Sequence, residues 1–283
     1  MPTRIALTVL VAATGAALAG CGKDPSSQGR TVVTALYPLA FAAEQVGGDG
    51  ISVRNLTPPG VEPHDLELSG GDIRTISGAD LVLYLGAGFQ PALEDAIDSA
   101  SSNAVDLLDT VETRLGGEVD PHVWLDPIGY AAIVERIGEE LGRRSEAERF
   151  AATLRALDRE FRRGLSACRR REIVTSHAAF GHLAKRYGLK QVAITGMSPE
   201  AEPTPRDLEA VVRQVRAAGA TTVFFETLVP PRLAETVARE VGARTAVLNP
   251  LEGLTEKEIA AGEDYVSVMR GNLVALREAL GCR

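Results

Sequence analysis

The middle of the chain reads SEAERFAATLRALDREFRRGL (residues 145–165), the pattern of a long amphipathic helix. Ser145 followed three residues later by Glu148 is typical of a capping box, so we expect the helix to start there. Its apolar residues recur at helical spacing on one face, and they are Phe150, Leu154, Leu157, Phe161 and Leu165. A helix of about twenty residues is roughly 30 Å long. We predict a stiff linker helix over residues 146–167 that joins two halves of the chain.

On both sides of this helix, short β-branched segments alternate with helical ones. The predicted strands are 31–36, 51–57, 80–85 and the weaker 103–108 before it, and 172–176, 191–195, 221–226 and 243–248 after it. Strands that alternate with helices predict parallel sheets built from right-handed crossovers. We therefore expect an α/β fold of two lobes, at residues 31–145 and 168–283, each a mainly parallel sheet flanked by helices.

The composition is that of an ordinary globular protein: of the 283 residues, 45% are hydrophobic and 24% are charged. A chain of this length can bury one large core or two modest ones. The formal net charge of -8 argues against a nucleic-acid-binding protein, which would normally present a basic face. An acidic surface favours solubility and, more weakly, attracts cations.

The first residues have the features of an export signal. Arg4 supplies a positive charge, and residues 5–18 form an apolar run that is too short to span a bilayer. The run closes with Leu-Ala-Gly-Cys (18–21), which resembles the lipobox of bacterial lipoproteins. We predict a signal peptide over 1–20, lipidation of Cys21 and a polar tether over 21–30. A plain cleaved signal with an incidental cysteine is the alternative, and no other stretch of the sequence has the pattern of a membrane span.

Two further cysteines, Cys168 and Cys282, follow the predicted linker. Export places the protein in an oxidising compartment, where two remaining thiols tend to pair. We expect a disulfide that ties the C-terminal tail to the start of the second half, and two buried free thiols are the alternative. A zinc site made of these cysteines is not expected, because the chain has no CxxC-type spacing.

Three of the chain's four histidines stand at predicted loops or strand ends. His64 lies in Pro-Pro-Gly-Val-Glu-Pro-His-Asp (58–65), His122 in Asp-Pro-His-Val-Trp-Leu-Asp-Pro (120–127) and His177 in Ile-Val-Thr-Ser-His-Ala-Ala-Phe (173–180). In parallel α/β sheets, ligands bind at the carboxyl ends of strands. Neutral imidazoles that meet at one point suit a divalent cation, zinc above all. Taken singly, each histidine could instead be a hydrogen-bonded structural residue.

The fourth histidine and the surroundings of His122 carry two further expectations. His182 lies five residues beyond His177 on a predicted helix, about 140° around its axis, so we expect it to be structural or exposed. Val123 and Trp124 suggest that His122 belongs to an extended segment whose side chains alternate in direction.

Several longer motifs match one known family when they are taken together. They are Leu-Ala-Gly-Cys (18–21), Pro-His-Asp-Leu-Glu-Leu (63–68), Ala-Asp-Leu-Val-Leu-Tyr-Leu-Gly (79–86), His-Val-Trp-Leu-Asp-Pro (122–127), Thr-Ser-His-Ala-Ala-Phe (175–180), Gly-Met-Ser-Pro-Glu-Ala-Glu-Pro-Thr-Pro (196–205), Phe-Phe-Glu-Thr (224–227), Asn-Pro-Leu-Glu-Gly-Leu (249–254) and Tyr-Val-Ser-Val-Met-Arg-Gly-Asn-Leu (265–273). A chain that carries this set resembles the zinc- and manganese-binding solute-receptor lipoproteins of ABC uptake systems, the zinc-uptake (ZnuA-like) branch in particular. The resemblance covers essentially the whole mature chain.

The resemblance implies two α/β lobes joined by a long helix, with a metal ion held between them by His64, His122 and His177. Manganese-preferring members carry a carboxylate where this chain has His177, and a third imidazole suits zinc better than manganese. The implied function is an extracytoplasmic zinc receptor, lipid-anchored or periplasmic, that delivers Zn²⁺ to an ABC permease. The resemblance implies no catalytic activity, and we expect a monomer that binds no nucleic acid.

Two departures from the family pattern bear on the site. Where the family often has an aspartate as fourth ligand, this chain has Asn249, an uncharged and weaker donor. We therefore expect Asn249 or a water molecule as the fourth ligand, with Glu62 as the next choice. Glu226 is expected to orient a histidine, and Glu252 is a further carboxylate that could offset the charge of the ion. The approach to His122 at 116–120 lacks the long histidine-rich loop of many zinc members, so we expect no metal capture by such a loop.

Three other functions stay open at the level of sequence. A manganese or iron receptor would share the fold, and a zinc hydrolase would combine three histidines with an open water position. Against a hydrolase, no nucleophile or general-base motif is apparent, and the side chains of the adjacent Ser176 and His177 would point opposite ways on a strand. An adhesin is the third alternative, because related lipoproteins have been given that role, although the sequence shows no adhesive feature.

Overall fold

The computed structural model describes residues 29–100 and 102–283. The predicted signal peptide, Cys21 and nearly all of the tether lie outside these residues. Within the described ranges, no helix combines the length and the apolar character that crossing a bilayer requires.

The first half is a four-stranded parallel sheet with helices between successive strands. Its elements are β1 (Arg30–Thr34), α1 (Tyr37–Gly47), β2 (Ile51–Asn55), α2 (Gly70–Ser77), β3 (Leu81–Tyr84), α3 (Pro91–Ala100) and β4 (Ala104–Asp106). The strand order is β2-β1-β3-β4, so β1 and β3 are central, and both are rich in buried β-branched and leucine side chains. The four strands predicted from the sequence in this half are confirmed.

The middle of the chain holds a short hairpin and two packed helices. These are β5 (Arg114–Leu115), β6 (Glu118–Val119), α4 (Pro127–Leu141) and α5 (Arg144–Leu165), the long linker helix. Gly142 is left-handed (φ 68°, ψ 29°) and ends α4, and the chain then restarts at once as α5. The predicted capping box at Ser145 is therefore wrong: α5 begins one residue earlier, and the Ser145 hydroxyl bonds the neighbouring Glu146 carboxylate instead.

The second half repeats the alternation of the first. Its elements are β7 (Glu172–Thr175), α6 (Gly181–Tyr187), β8 (Lys190–Ala193), α7 (Pro205–Ala218), β9 (Thr222–Phe225), α8 (Arg232–Val241), β10 (Arg244–Val247), α9 (Glu256–Ala260) and α10 (Tyr265–Leu280). All four strands are parallel and the order is β10-β9-β7-β8. The strands confirm the prediction, whereas α9 and α10 were not singled out by the sequence patterns.

One hydrophobic core runs through both halves. It includes residues of the first sheet, the apolar face of α5, the second sheet and α10. On α5, Leu154, Leu157 and Phe161 are fully buried, so the linker is a core element rather than an exposed rod. Cys168 and Cys282 form a disulfide between the end of α5 and the end of α10, as the sequence predicts. The two halves are therefore held in one arrangement around the linker, and the loops at their facing edges are fixed relative to one another.

Candidate metal site

His64 lies in the loop that follows β2, and neighbouring side chains hold this loop in place. The buried Gln90 amide donates to the Pro63 carbonyl at 3.1 Å and to the Ala35 carbonyl at 2.8 Å. The Phe89 ring packs edge-on against the imidazole of His64 at a centroid distance of 4.6 Å. The imidazole is thereby directed toward the interior between the halves.

His122 follows the hairpin and is fully buried. Its backbone N–H and its ring Nδ1 both lie near Asp120 Oδ1, at 3.0 and 2.8 Å. A carboxylate only accepts, so Nδ1 carries the proton, and Nε2 on the far side of the ring is the atom that can bind a metal ion once it has no proton. The chain continues as a 3-10 turn over Val123–Leu125, so the extended segment expected here is wrong. The local reason is the Asp120 side chain, which closes a turn on the backbone N–H two residues later.

His177 follows β7 directly and is also fully buried. Its Nδ1 lies 2.8 Å from Glu226 Oε1, and Glu226 comes immediately after the neighbouring strand β9. Parallel strands end at the same edge of a sheet, which explains why residues far apart in sequence meet here. The structure thus places Glu226 where it can orient His177, the role expected for it from the sequence.

The three imidazoles converge on the carboxylate of Glu252. Glu252 Oε1 lies 3.1 Å from the Nε2 atoms of His122 and His177 and 3.3 Å from that of His64. The Nε2 atoms of His122 and His177 are 3.4 Å apart, and one donor atom from each of the four residues lies within 4.8 Å of the others. Four donors placed tetrahedrally about 2.0–2.1 Å from a zinc ion stand about 3.3 Å from one another. The spacing of this cluster fits such an ion.

Asn249, which with a water molecule is the expected fourth donor, has both ends of its amide engaged by other residues. Its amide nitrogen donates to Thr227 Oγ1 at 3.1 Å and to Glu258 Oε1 at 2.9 Å. Its amide oxygen accepts from the Leu251 N–H at 2.7 Å, and Leu251 has a positive φ of 60°. Asn249 therefore shapes the tight turn that presents Glu252, and both ends of its amide are used for that purpose.

Glu62 also stands apart from the four converging residues. Its Oε1 accepts from the backbone N–H of His64 at 3.1 Å, which orders the loop that carries this histidine. Burial, and next the nearby charge of Glu252, raise the pKa of Glu62 to about 8. In the metal-free protein the side chain is thus largely protonated at neutral pH.

The titration behaviour of the cluster is governed by its carboxylates. Burial by itself lowers the pKa of each buried imidazole, because it disfavours the charged ring. For His122 the hydrogen bonds to Asp120 and Glu252 outweigh burial and raise its pKa. For His177 the charge of Glu252 and the bond to Glu226 raise its pKa well above the usual value. Burial would raise the pKa of Glu252, but the charge of His177 and bonds from the imidazoles hold it well below its usual range.

The site is closed to solvent. The side chains of His122, His177 and Glu252 are 0% exposed and that of His64 is 9% exposed. Trp124 contributes to this closure, since its ring stacks obliquely on His122 and its Nε1 donates to the Pro250 carbonyl at 2.7 Å. That bond crosses between the halves and fixes the turn that carries Glu252.

Sequence reasoning missed two functions in this site. Glu252 was considered only as a source of compensating charge, although it follows β10 in a loop at the same sheet edge as the histidines. Asp120 was not assigned any role, although an acidic residue two positions before a histidine is placed to bond that histidine. Both signals were present in the sequence and could have been used.

The comparisons with known proteins agree with this geometry. The chain matches the family described as zinc-uptake complex component A, periplasmic, over residues 32–279. It is 36% identical over 290 residues to the zinc-binding lipoprotein AdcA of Streptococcus pneumoniae; the match covers 92% of this chain and 58% of that relative, so the chain spans little more than half of that protein. It is 32% identical to the high-affinity zinc uptake system protein ZnuA of Bacillus subtilis, with 96% of this chain and 94% of that protein covered.

A solved structure shows the same fold. The crystal structure of the Zn(II)-bound ZnuA-like domain of Streptococcus pneumoniae AdcA superposes with a TM-score of 0.77 at 36% identity. The match covers 89% of this chain and 99% of that domain. The two parallel sheets and the linker helix described above are therefore an arrangement already seen in a zinc-bound protein.

Proposed function

Because this chain belongs to the family of periplasmic zinc-uptake component A proteins, we propose that it is the extracytoplasmic zinc receptor of an ABC uptake transporter. It holds Zn²⁺ between its two halves and delivers the ion to a permease. The observation that carries this proposal is the convergence of three imidazoles and one carboxylate at the spacing of a tetrahedral zinc site.

The proposed ligands are Nε2 of His64, His122 and His177 and a carboxylate oxygen of Glu252. Three neutral imidazoles leave the charge of the ion unchanged, and the carboxylate reduces it from +2 to +1. The orienting carboxylates of Asp120 and Glu226 make the imidazoles more basic ligands.

Zinc is favoured over manganese by the donor set. Imidazole nitrogens suit zinc, whereas manganese favours carboxylate, carbonyl and water oxygens in sixfold coordination. Purified zinc-free protein, incubated with equimolar zinc and manganese, desalted and assayed for metal, should retain zinc at one equivalent and little manganese. Retention mainly of manganese would replace this proposal by the manganese-receptor alternative.

A receptor also fits the closed site better than a hydrolase does. Catalytic zinc keeps a coordination position open for water, whereas in the proposed site the buried Glu252 carboxylate takes the fourth position. We expect no peptidase or esterase activity from the zinc-loaded protein above that of the zinc-free protein. Turnover that depends on zinc would contradict the receptor proposal.

Lipid anchoring at Cys21, a monomeric state and a permease partner complete the proposal. Lipid anchoring is supported by the Leu-Ala-Gly-Cys motif and by the lipoprotein name of the streptococcal relative. A permease partner is supported by the family description as a component of a zinc-uptake complex. Mass spectrometry of the protein extracted from membranes should show an acylated N-terminal cysteine, and Cys21→Ser should release the protein from the membrane fraction.

A further inference from the structure

Helix α6 contacts the loop of His122 at two points, although it belongs to the other half of the molecule. It starts at Gly181, shortly after His177, and it ends at Tyr187. The intervening residues Ala178–Phe180 form a single 3-10 turn, so α6 is almost a direct continuation of the segment that carries His177. Any contact from α6 to the His122 loop therefore connects two of the proposed ligands.

The first contact is with Asp120, the residue that orients His122. The buried His182 donates from Nε2 to the Asp120 carbonyl oxygen at 2.9 Å. Gly181 lies so close to the Asp120 carboxylate that a Cβ atom on it would stand 2.5 Å from Oδ2. The start of α6 thus binds the backbone of Asp120 and lies close against its side chain, whose other carboxylate oxygen, Oδ1, lies 2.8 Å from His122 Nδ1.

The second contact is with Asp126, on the other side of His122. Arg186 at the end of α6 bonds Asp126 Oδ1 at 2.9 Å and Asp158 Oδ1 at 2.7 Å. Asp126 caps α4 by accepting from the Ile128 N–H, and Asp158 is a buried residue of α5. The end of α6 is therefore anchored to both central helices, which fixes its position along the His122 loop.

We propose that α6 is a brace that positions His122 from the opposite half through Gly181, His182 and Arg186. This inference rests on the proposed function and deepens it. Because the same segment carries His177 and holds the carboxylate that orients His122, a shift of α6 relative to the hairpin disturbs two ligands together. Separation of the halves would in this way lower zinc affinity although every proposed ligand is still present in the chain.

Gly181→Ala provides the sharpest test. Gly181 has right-handed helical backbone angles (φ -59°, ψ -48°), which alanine adopts readily, so the fold should tolerate the change. The added methyl would stand 2.5 Å from Asp120 Oδ2 and 2.7 Å from Leu115 Cδ1. Both side chains must therefore shift, and the shift of the carboxylate weakens its bond to His122. The expected result is a zinc dissociation constant about 10–100-fold higher, the usual effect of losing a group that orients a ligand.

Gly271→Ala is the matched control. Gly271 lies within α10, and a Cβ on it would meet no atom within 4 Å. Gly271→Ala should keep or raise the melting temperature of the zinc-free protein, and Gly181→Ala should remain folded with at most a modest fall in that temperature. Only Gly181→Ala should weaken zinc binding in competition with a chromophoric chelator. The visible spectrum of the Co²⁺-loaded protein, which reports coordination geometry, should change for Gly181→Ala and stay as in the wild type for Gly271→Ala.

A pair of substitutions at His182 gives a second test that does not depend on Gly181→Ala folding. His182→Leu removes the donor to the Asp120 carbonyl and should raise the zinc dissociation constant by about 10-fold. His182→Gln retains an N–H donor and should restore most of the affinity. Zinc affinities and cobalt spectra equal to wild type for both Gly181→Ala and His182→Leu would overturn the brace. A wild-type protein that fails to bind zinc would instead overturn the proposed function.

Discussion

At the scale of single residues, the chemistry of the site depends on which polar side chains already have hydrogen-bond partners within the protein. Glu252 is fully buried, and its Oε2 has no hydrogen-bond partner among the described residues. A buried carboxylate charge is unfavourable unless a cation compensates it. Protonated imidazoles or a metal ion can supply that cation. The Glu252 carboxylate therefore favours protonated imidazoles in the zinc-free protein and the zinc ion in the loaded protein.

Substitutions at Glu252 and Asn249 should separate their two roles. Glu252→Ala should raise the zinc dissociation constant by more than the about 10–100-fold expected for an orienting residue. Asn249→Asp should bring no gain in affinity, because the new carboxylate would face Glu258 and lose the bond that the amide donates. Calorimetric titration with zinc measures both. Tighter zinc binding by Asn249→Asp would restore Asn249 as the fourth ligand.

The zinc affinity should fall on acidification, and the fall should begin above the usual imidazole pKa of about 6.5. The carboxylates around His122 and His177 raise the pKa of both rings, so protons compete with zinc at a higher pH than for isolated histidines. Chelator competition between pH 8 and pH 5.5 measures the effect. A constant affinity over that range would contradict ligation by these histidines.

The stability of the zinc-free protein should depend on pH in the opposite sense. Raised pKa values of His122 and His177 contribute stability that is fully present below about pH 6.5 and is lost as the pH rises through the folded-state values. The lowered pKa of Glu252 contributes stability above about pH 4.3 that is lost as the pH falls through its folded-state value. The increase in melting temperature on adding zinc should therefore grow from pH 6 to pH 8, and an increase that is independent of pH would contradict this coupling.

At the scale of elements, the linker helix α5 matters because its apolar face is part of the common core. Phe161 is fully buried and stacks on Tyr187, the last residue of α6, at a centroid distance of 5.1 Å. The linker thus supports the helix that we propose as a brace. Its exposed face carries charged side chains that add little to stability.

Phe161→Ala should destabilise the protein by about 3–5 kcal/mol, the usual cost of truncating a buried aromatic side chain. Arg159→Ala, on the exposed face of the same helix, is the control and should stay within about 0.5 kcal/mol of the wild type. Denaturant unfolding of the zinc-free proteins measures both. Equal losses in the two variants would show that the buried face is not the source of the stability of the linker.

At the scale of the whole molecule, the disulfide closes the second half of the chain. Cys168 and Cys282 are 114 residues apart in sequence, and the bridge joins the end of the linker to the end of the chain. A cross-link of this separation restricts mainly the unfolded chain, which in the loop-entropy account stabilises the folded state by about 4–5 kcal/mol. The disulfide should therefore affect the stability of the fold rather than the zinc affinity.

The double substitution Cys168→Ser and Cys282→Ser tests this division. We expect a clear fall in the melting temperature of the zinc-free protein and a change in zinc affinity smaller than that caused by Gly181→Ala. A large loss of zinc affinity with unchanged stability would instead place the bridge in the support of the site.

The sequence by itself determined the eight strands of the two sheets and the position of His64, His122 and His177 after a strand or within a loop. These features are local: β-branched runs and helical periodicity are written in neighbouring residues. The family motifs, taken together, predicted a member of the zinc-uptake branch. The sequence patterns do not give the start of the linker, because α5 begins at Arg144, two residues after Gly142 ends α4, without a side-chain cap.

Only the tertiary structure decided the fourth member of the cluster. Asn249 and Glu252 lie in the same short loop, and the turn built by Asn249 turns its own amide away from the histidines and brings Glu252 toward them. The brace from α6 to Asp120 likewise joins segments from the two halves. Such roles depend on which residue forms a hydrogen bond with each polar group. Those residues come from distant parts of the chain that meet only when the two halves pack around the linker.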